Sequence, residues 1–303
     1  MLQTFEQPGE WLRCALHAHT TRSDGELAPE ALAAHYARAG YDVLAITDHW
    51  RLTDAESTEL LVVPSSELNC ILPESRDGHV LAYGIDTDPA PLGGEYADLA
   101  RTADWIEEHG GVAYLAHPYW SGATPGRLEL PANVYGIEVY NAGCELEIGR
   151  GLSSVHWDEV LEAGTRCFAL ASDDSHHPGF DSDLAWTWVS VEARTQEAVL
   201  AALREGAFYS STGPRVRRIE LDGDALEVAC TPCRSVILIG GRTEGAAAHA
   251  GRLPYCHRAR VLERADDGRI TRARLELPFG ADHVRLELSD GGGGRAWTNP
   301  HWR

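Results

Sequence analysis

The stretch Cys14-Ala-Leu-His-Ala-His-Thr-Thr-Arg-Ser-Asp-Gly-Glu26 contains two histidines, His17 and His19, separated by one residue, and an aspartate, Asp24, five residues further on. Side chains two positions apart on an extended backbone point to the same side, so both imidazoles can reach one metal ion from the end of a single strand. The alternative is a pair of exposed loop histidines, which is common for an isolated pair. The choice depends on whether similar clusters recur along the chain.

Clusters of the same residue types do recur, at the ends of later apolar runs. Histidine nitrogen combined with carboxylate oxygen suits Zn, Mn or Fe, and a shared carboxylate suits a site with two metals. Each cluster alone has a simpler explanation, such as a hydrogen-bonded histidine or a helix-capping aspartate. Together in one α/β domain they predict a polynuclear metal site. The clusters are Thr47-Asp48-His49, Ser65-Ser-Glu67, His79, His117-Pro118 and Ser172-Asp-Asp-Ser-His-His177.

The first two-thirds of the chain alternates strand-like and helix-like segments. A helix that opens at Pro29 and stops before Gly40 shows the usual early proline and late glycine. Repeated strand–helix units indicate an α/β fold with a parallel sheet, which could close into a barrel with its functional groups at the carboxyl ends of the strands. The predicted strands are 12–16, 41–47, 60–64, 80–84, 112–116, 136–140, 166–171 and 185–192, and the predicted helices are 29–38, 96–109, 154–162 and 195–204.

Past Ser210-Ser-Thr-Gly-Pro214 the pattern changes to short segments of alternating apolar and polar residues separated by turn signals such as Asp222-Gly-Asp. This pattern predicts a small antiparallel β-sandwich. The chain is therefore divided into a domain at 1–212 and a β-sandwich domain at 213–303. The predicted strands of the second domain are 215–221, 225–230, 236–239, 273–277 and 283–288.

Composition restricts the partners and the location. The 303 residues carry a formal net charge of −20, which repels polyanions and argues against binding long nucleic acid. A small phosphorylated substrate stays compatible, because bound cations reverse the local sign. No stretch approaches the roughly 18–20 apolar residues of a membrane span, and residues 1–10 lack the basic head and apolar core of a signal peptide. We therefore expect a cytoplasmic protein without a membrane partner; the oligomeric state stays open.

The seven cysteines are scattered and do not form a disulfide framework. Cys230-Thr-Pro-Cys233 has the spacing of a zinc knuckle, and Cys256-His257 could supply two more ligands. Only one such cysteine pair is present, and Thr-Pro between its members suits a tight turn. We therefore favour small buried thiols over a structural zinc site.

The ordered motifs, His-x-His with Ser-Asp-Gly, then Thr-Asp-His, Glu, His, His-Pro and Asp-x-His, resemble those of the polymerase and histidinol phosphatase (PHP) family of metal-dependent phosphoesterases, over residues 11–212. The resemblance implies a distorted seven-stranded β/α barrel that holds two to three divalent ions (Zn, Mn or Fe). It assigns one ion to His17, His19, Glu67 and an aspartate of the pair Asp173-Asp174, a second to Glu67, His79 and His117 with Glu67 bridging, and a third to Asp24, His49 and His176.

The last motif departs from the family pattern. It has two aspartates: counting back from His176 selects Asp174, counting forward from Ser172 selects Asp173, and the spacing favours Asp174. For the substrate phosphate, the candidates outside the ligand set are Arg22, Arg150 and His177, with solvated side chains as the alternative.

The leading hypothesis is a phosphoric ester hydrolase that attacks a small phosphorylated substrate with a metal-bound hydroxide. Catalysis would depend on His17, His19, Glu67, Asp174 and His176. The alternatives are a nuclease or nucleotidase that acts on short oligonucleotides or nucleoside bisphosphates, hydrolysis of an amide or lactone at a similar site, and a silent metal-binding module. Because every motif position is filled, the silent module is disfavoured.

Overall fold

The apolar run after Gly40 forms the strand β2 (Val43–Ile46), whose four residues are all buried, as expected for a strand covered on both faces. The computed structural model describes residues 9–89, 97–252 and 254–302. They form two compact units, Gly9–Phe208 and a second that begins at Tyr209. The division into functional domains at residue 212 stays a prediction. The segment on which we based the expectation of no signal peptide lies largely outside the described residues.

The unit Gly9–Phe208 mixes strands and helices, but the predicted alternation holds only in part, because in its described residues no helix separates the second, third and fourth strands or lies between the seventh and the eighth. The helices α1 and α4 have the predicted bounds, whereas the predicted start of α2 at Tyr96 lies outside the described residues. A short helix, α3, was not predicted. The elements besides β2 are β1 (Glu10–Ala15), α1 (Pro29–Arg38), β3 (Leu61–Leu72), β4 (Ser75–Tyr83), α2 (Leu99–Glu108), β5 (Val112–Ala116), β6 (Val134–Asn141), α3 (Ala142–Ile148), α4 (Ser154–Glu162), β7 (Phe168–Ser172), β8 (Trp186–Val191) and α5 (Gln196–Glu205).

The strand order in this unit is β8-β1-β2-β3-β4-β5-β6-β7. β1 to β3 are parallel, and so are β5 to β7. The prediction of a parallel sheet does not hold for β4, which is antiparallel to both neighbours, or for β8, which is antiparallel to β1. Only Pro73 and Glu74 join β3 to β4, and so short a connection makes a hairpin, because a parallel crossover needs many more residues.

Within the described part of the chain the sheet is not closed between β7 and β8, so the seven-stranded barrel is not confirmed. The segment before β8 is engaged elsewhere: the backbone N–H groups of Asp183, Leu184 and Ala185 donate to the carboxylate of Asp173. The carboxylate of Asp173 thus satisfies the backbone donors that directly precede β8.

The second unit contains antiparallel sheets, as predicted. In one, the order is β14-β13-β12-β17-β18-β9, with β19 paired to β17, and in the other it is β10-β11-β16-β15. Their packing as a sandwich stays a prediction. The strands are β9 (Phe208–Ser211), β10 (Val216–Asp222), β11 (Ala225–Cys233), β12 (Ser235–Gly240), β13 (Gly245–His249), β14 (Tyr255–His257), β15 (Ala259–Arg264), β16 (Ile270–Glu276), β17 (His283–Ser289), β18 (Arg295–Thr298) and β19 (His301–Trp302).

The cysteines of this unit differ in environment. Cys230 and Cys233 are buried on β11, and Cys256 is exposed on β14. Among the described residues they belong to no group with metal-ligand geometry. In the same described ranges, no helix is both long and apolar enough to cross a bilayer.

The sheet of the first unit explains how distant motifs meet. β1, β2, β3, β5, β6 and β7 all run in one direction, so the residues that follow them collect at one edge. The antiparallel strand β4 brings His79 to the same edge, because His79 pairs with Ala116, the last residue of β5. His117 follows at once. Below this edge, apolar side chains from β1, β2 and β5 pack against α5 and form a buried core.

Candidate metal centre

Four side chains converge closely at this edge, and we call them the inner group: His17, His19, Glu67 and Asp174. All four are buried. The Nε2 atom of His17 lies 3.2 Å from Glu67 Oε2 and 3.1 Å from Asp174 Oδ1. The Nε2 atom of His19 lies at the same two distances from the same two oxygens. Two imidazole nitrogens and two carboxylate oxygens therefore surround one point.

The inner group has the donor chemistry of a divalent cation site. The Nδ1 atom of His17 lies 2.8 Å from Glu138 Oε1, so the other ring nitrogen, Nε2, is left to offer a lone pair. That Nε2 atom is buried without a hydrogen-bond partner, although it faces two carboxylate oxygens. A lone pair that faces anionic oxygens is unfavourable unless a proton or a metal cation lies between them, so these residues fit a divalent metal ion.

A second group consists of Glu67, His79 and His117. Glu67 Oε1 lies 2.7 Å from His79 Nδ1 and 3.1 Å from His117 Nε2. Its other oxygen, Oε2, faces the inner group. The carboxylate of Glu67 thus lies between the two groups, in the position that a bridging ligand requires.

An outer group consists of His19, Asp24, His49 and His176. Asp24 Oδ2 lies 3.5 Å from His49 Nε2, and Asp24 Oδ1 lies 3.5 Å from His176 Nε2 and 3.6 Å from His19 Nδ1. The Asp24 side chain is 54% exposed, so this group opens toward solvent. His19 uses its two ring nitrogens toward different groups.

A cysteine that was not predicted also lies at the centre. Cys144, on α3, forms a further group with His117 and Asp174, and its Sγ atom lies 3.9 Å from Asp174 Oδ2. Burial and the nearby Asp174 carboxylate raise the pKa of this thiol. Among scattered cysteines no sequence signal marks it, because the contact depends on the unpredicted helix.

The two neighbouring aspartates have different environments. Asp174 belongs to the inner group, whereas the Asp173 carboxylate accepts hydrogen bonds from three backbone N–H groups before β8 and from the hydroxyl of Tyr36. Burial raises the pKa of Asp173 to about 6, against the lowering effect of these donors. Of the two candidates, the structure therefore brings Asp174 and not Asp173 to the cluster.

Two further aspartates, which were not among the predicted site residues, accept hydrogen bonds from the loops that carry candidate ligands. Asp48 accepts hydrogen bonds from the backbone N–H and hydroxyl of Thr20 and from the hydroxyl of Ser23. Asp181 accepts from the backbone N–H groups of His176 and His177. Asp48 precedes His49 in the motif Thr47-Asp48-His49. Its hydrogen bonds to the loop of Thr20 and Ser23 are contacts that sequence spacing does not reveal.

The histidines and carboxylates of the cluster stabilise one another's charged forms. Burial by itself would lower the pKa of His17, but Asp174, Glu67 and Glu138 raise it well above the ordinary value. Burial likewise opposes the shift at His19, yet its hydrogen bonds to Asp174 and Glu67 raise its pKa to about 9. The pKa values of Glu67 and Asp174 are lowered despite burial, because of the surrounding histidines. The carboxylates thus stay ionised and would attract a divalent cation.

The three candidates for the substrate phosphate are all exposed to solvent. Arg22 is exposed. The guanidinium carbon of Arg150, another exposed residue, lies 5.4 Å from the centre of the Tyr119 ring. His177 is exposed too, and its Nδ1 atom lies 3.5 Å from Glu26 Oε2. Their role as phosphate contacts stays a prediction.

Comparison with known proteins supports the fold. No protein-family model and no curated protein sequence matches the chain. Its structure is similar to that of a two-domain protein from Bacteroides vulgatus that contains a predicted PHP-like metal-dependent phosphoesterase, with 15% identity, coverage of 93% of this chain and 91% of that chain, and a TM-score of 0.56. The chain thus resembles this PHP-like protein in fold, as its motif order predicted.

An amidohydrolase from Chromobacterium violaceum, solved with bound sulfate and no metal, is 17% identical and covers 55% of this chain and 89% of that chain, with a TM-score of 0.39. That alignment is too loose to bear on the fold.

Proposed function

We propose that the protein is a metal-dependent hydrolase that cleaves a phosphate ester of a small phosphorylated substrate. One observation carries the proposal: two imidazole nitrogens and two carboxylate oxygens converge at 3.1–3.2 Å in the inner group. The second group shares Glu67 with it, and the outer group shares His19. The fold that the chain shares with a protein containing a predicted PHP-like metal-dependent phosphoesterase supports the same class.

Each group has a role in this proposal. Two to three divalent ions would supply Lewis acidity, which activates a water molecule and offsets the charge of the phosphoryl oxygens. The inner and second groups would hold two of them with Glu67 shared, and the outer group a third. Asp48 and Asp181 would keep the ligand loops in place, and Arg22, Arg150 and His177 would bind phosphate oxygens.

The negative net charge of the chain favours a small substrate over long nucleic acid. With a net charge of −20, the chain would attract anionic ligands only where bound cations reverse the local field. The proposal keeps the cytoplasmic location expected from the sequence.

The test is an assay of purified protein with a chromogenic phosphate monoester and a chromogenic diester, with and without added manganese. We expect hydrolysis of at least one ester, and a fall of at least about 100-fold in Glu67→Ala, because the substitution removes a carboxylate shared by two groups. Glu108→Ala is the control: this exposed glutamate ends α2, at the start of β5, opposite the edge that carries the ligands.

Three results would contradict the proposal. A protein stripped of metal that kept full activity would exclude metal-dependent hydrolysis. Near-normal turnover in Glu67→Ala would show that Glu67 does not bridge two ions. Hydrolysis of a lactone or amide substrate but of neither ester would move the chemistry from phosphorus to carbonyl carbon.

A further inference from the structure

A buried glutamate, Glu138 on β6, lies directly behind the inner group. Its Oε1 atom receives hydrogen bonds from Nδ1 of His17, at 2.8 Å, and from the hydroxyl of Ser172. Its Oε2 atom receives the backbone N–H of His117 at 2.9 Å and Nδ2 of Asn141 at 2.8 Å. Four donors therefore saturate a carboxylate that has no access to solvent, which is what makes its burial tolerable.

Two of these donors cannot reverse their role. The backbone N–H of His117 can only donate. The amide of Asn141 is oriented by its other end, because Asn141 Oδ1 accepts the backbone N–H of Cys144 at 2.9 Å, which leaves Nδ2 toward Glu138. The Oε2 atom of Glu138 thus meets two obligate donors, and its Oε1 atom is the one available to His17.

We infer that Glu138 is a positioning residue, which holds the proton of His17 on Nδ1 so that the Nε2 lone pair faces Glu67 and Asp174, ready for a metal ion. The inference rests on the proposed function, since it concerns how the same site takes up its metal. A carboxylate behind a ligating imidazole selects the tautomer, orients the ring and raises the basicity of the ligand nitrogen. The unpartnered Nε2 of His17 is what this arrangement produces.

Glu138 also ties the ligand-bearing strand ends together. Through the backbone N–H of His117 it reaches the end of β5, and through Ser172 it reaches the last residue of β7, two residues before Asp174. With His17 beyond β1, one side chain thus organises both the inner and the second group.

The substitution Glu138→Gln tests the inference because glutamine keeps the shape of glutamate but replaces one acceptor oxygen with an NH₂ group that donates. The amide oxygen would stay with the obligate donors, His117 N–H and Asn141 Nδ2. The amide nitrogen would then face Ser172, whose hydroxyl can turn and accept, and His17 Nδ1, which already donates. His17 would relieve this conflict by moving its proton to Nε2, the atom that faces the inner group.

The measurement is a competition titration of metal-free protein with Zn²⁺ against a chromophoric chelator. We expect Glu138→Gln to bind zinc about 10–100-fold more weakly than wild type. We expect no further loss when Glu138→Gln is added to His17→Gln, because Glu138 acts through His17. Glu145→Gln is the matched control: Glu145 is an exposed glutamate that accepts a backbone N–H, that of Gly151, outside the ligand groups.

A spectroscopic readout on the zinc-loaded wild type makes the test independent of whether Glu138→Gln folds. With ¹⁵N-labelled histidine, His17 should show a hydrogen-bonded, downfield Nδ1–H and a zinc-bound Nε2. Binding of zinc through Nδ1 of His17 would overturn the inference, and so would a Glu138→Gln protein that binds zinc within about twofold of wild type. Wild-type protein that binds no zinc, manganese or iron would instead contradict the proposed function.

Discussion

At the scale of single residues, the backbone at the candidate ligands is unusual. Asp174 has a φ of 54° and His117 a φ of 27°, in the left-handed region that residues with a side chain seldom occupy. Such strain persists only where the surroundings fix it, and it concentrates at functional sites. At Asp174, the backbone N–H donates to the carbonyl of His17, and the turn sends two consecutive carboxylates to different places.

The pair Asp173-Asp174 gives a prediction in which two similar substitutions have different effects. Asp174→Asn should lose bound metal and activity together, because it removes a negative oxygen from the inner group. Asp173→Asn should keep its metal but unfold more easily by about 1–3 kcal/mol, because an amide nitrogen would then meet backbone donors. Elemental analysis and thermal unfolding measure the two effects. Loss of metal in Asp173→Asn with normal metal in Asp174→Asn would mean that Asp173, the residue selected by counting forward from Ser172, is the ligand.

The ligand types could be recognised from the sequence, but their supports could not. His17 and Glu67 can be recognised as candidate ligands because each is a ligand-type residue at the end of an apolar run. Glu138 and Asp181 do not, since one lies inside a strand and the other in a polar loop, and each acquires its role only through long-range contacts. Hydrogen-bond partners of ligands are specified by the fold, and spacing along the chain carries no information about them.

At the scale of elements, the sequence predicts well those helices and strands whose ends depend on neighbouring residues. The helix α1, with its early proline, and the strand β5 have the predicted bounds. The helix α3 was missed because it is short and begins immediately after β6, with Asn141 as both the end of the strand and the cap of the helix. The direction of β4 follows from its two-residue connection to β3, a feature that the shorter predicted strands concealed.

The loop of the outer group leads to a prediction about Gly25, which follows Asp24 in the opening motif. A Cβ atom on Gly25 would lie 2.3 Å from the carbonyl oxygen of His19 and 2.7 Å from the backbone nitrogen of Thr20, so the loop closes only with glycine. Gly25→Ala should therefore push Asp24 away from His49 and lose the ion proposed for the outer group, while the inner and second groups, which do not contain Asp24, keep the ions proposed for them. Metal content per chain, measured by elemental analysis, should fall by one.

Gly179→Ala is the matched control for Gly25→Ala, because a Cβ atom on Gly179 would meet nothing within 4 Å. That variant should keep the wild-type metal content. A Gly25→Ala protein with full metal content and unchanged activity would show that the loop can move without cost, and that the outer group does not depend on its present shape.

At the scale of the whole molecule, every member of the inner, second and outer groups lies in the unit Gly9–Phe208. The side chain that ends this unit belongs to its core: Phe208 is buried and packs against Phe168, at 6.0 Å between ring centres, and Tyr114, at 6.3 Å. From Tyr209 on, β9 pairs with β18 of the second unit. The candidate metal ligands and the C-terminal sheets thus belong to separate parts of the chain.

A fragment that ends after Phe208 should therefore bind as many metal ions per chain as the full protein, because it keeps all candidate ligands and the aromatic core beneath them. A cut after residue 212 would instead keep the β9 residues Tyr209, Ser210 and Ser211 without their partners on β18, and an unpaired strand edge promotes aggregation. Size-exclusion chromatography followed by elemental analysis compares the two fragments. If the shorter fragment kept its metal and turnover at saturating substrate but showed a higher KM, the C-terminal unit would contribute to substrate recognition. Loss of metal from a folded fragment would contradict the assignment of the ligands to one unit.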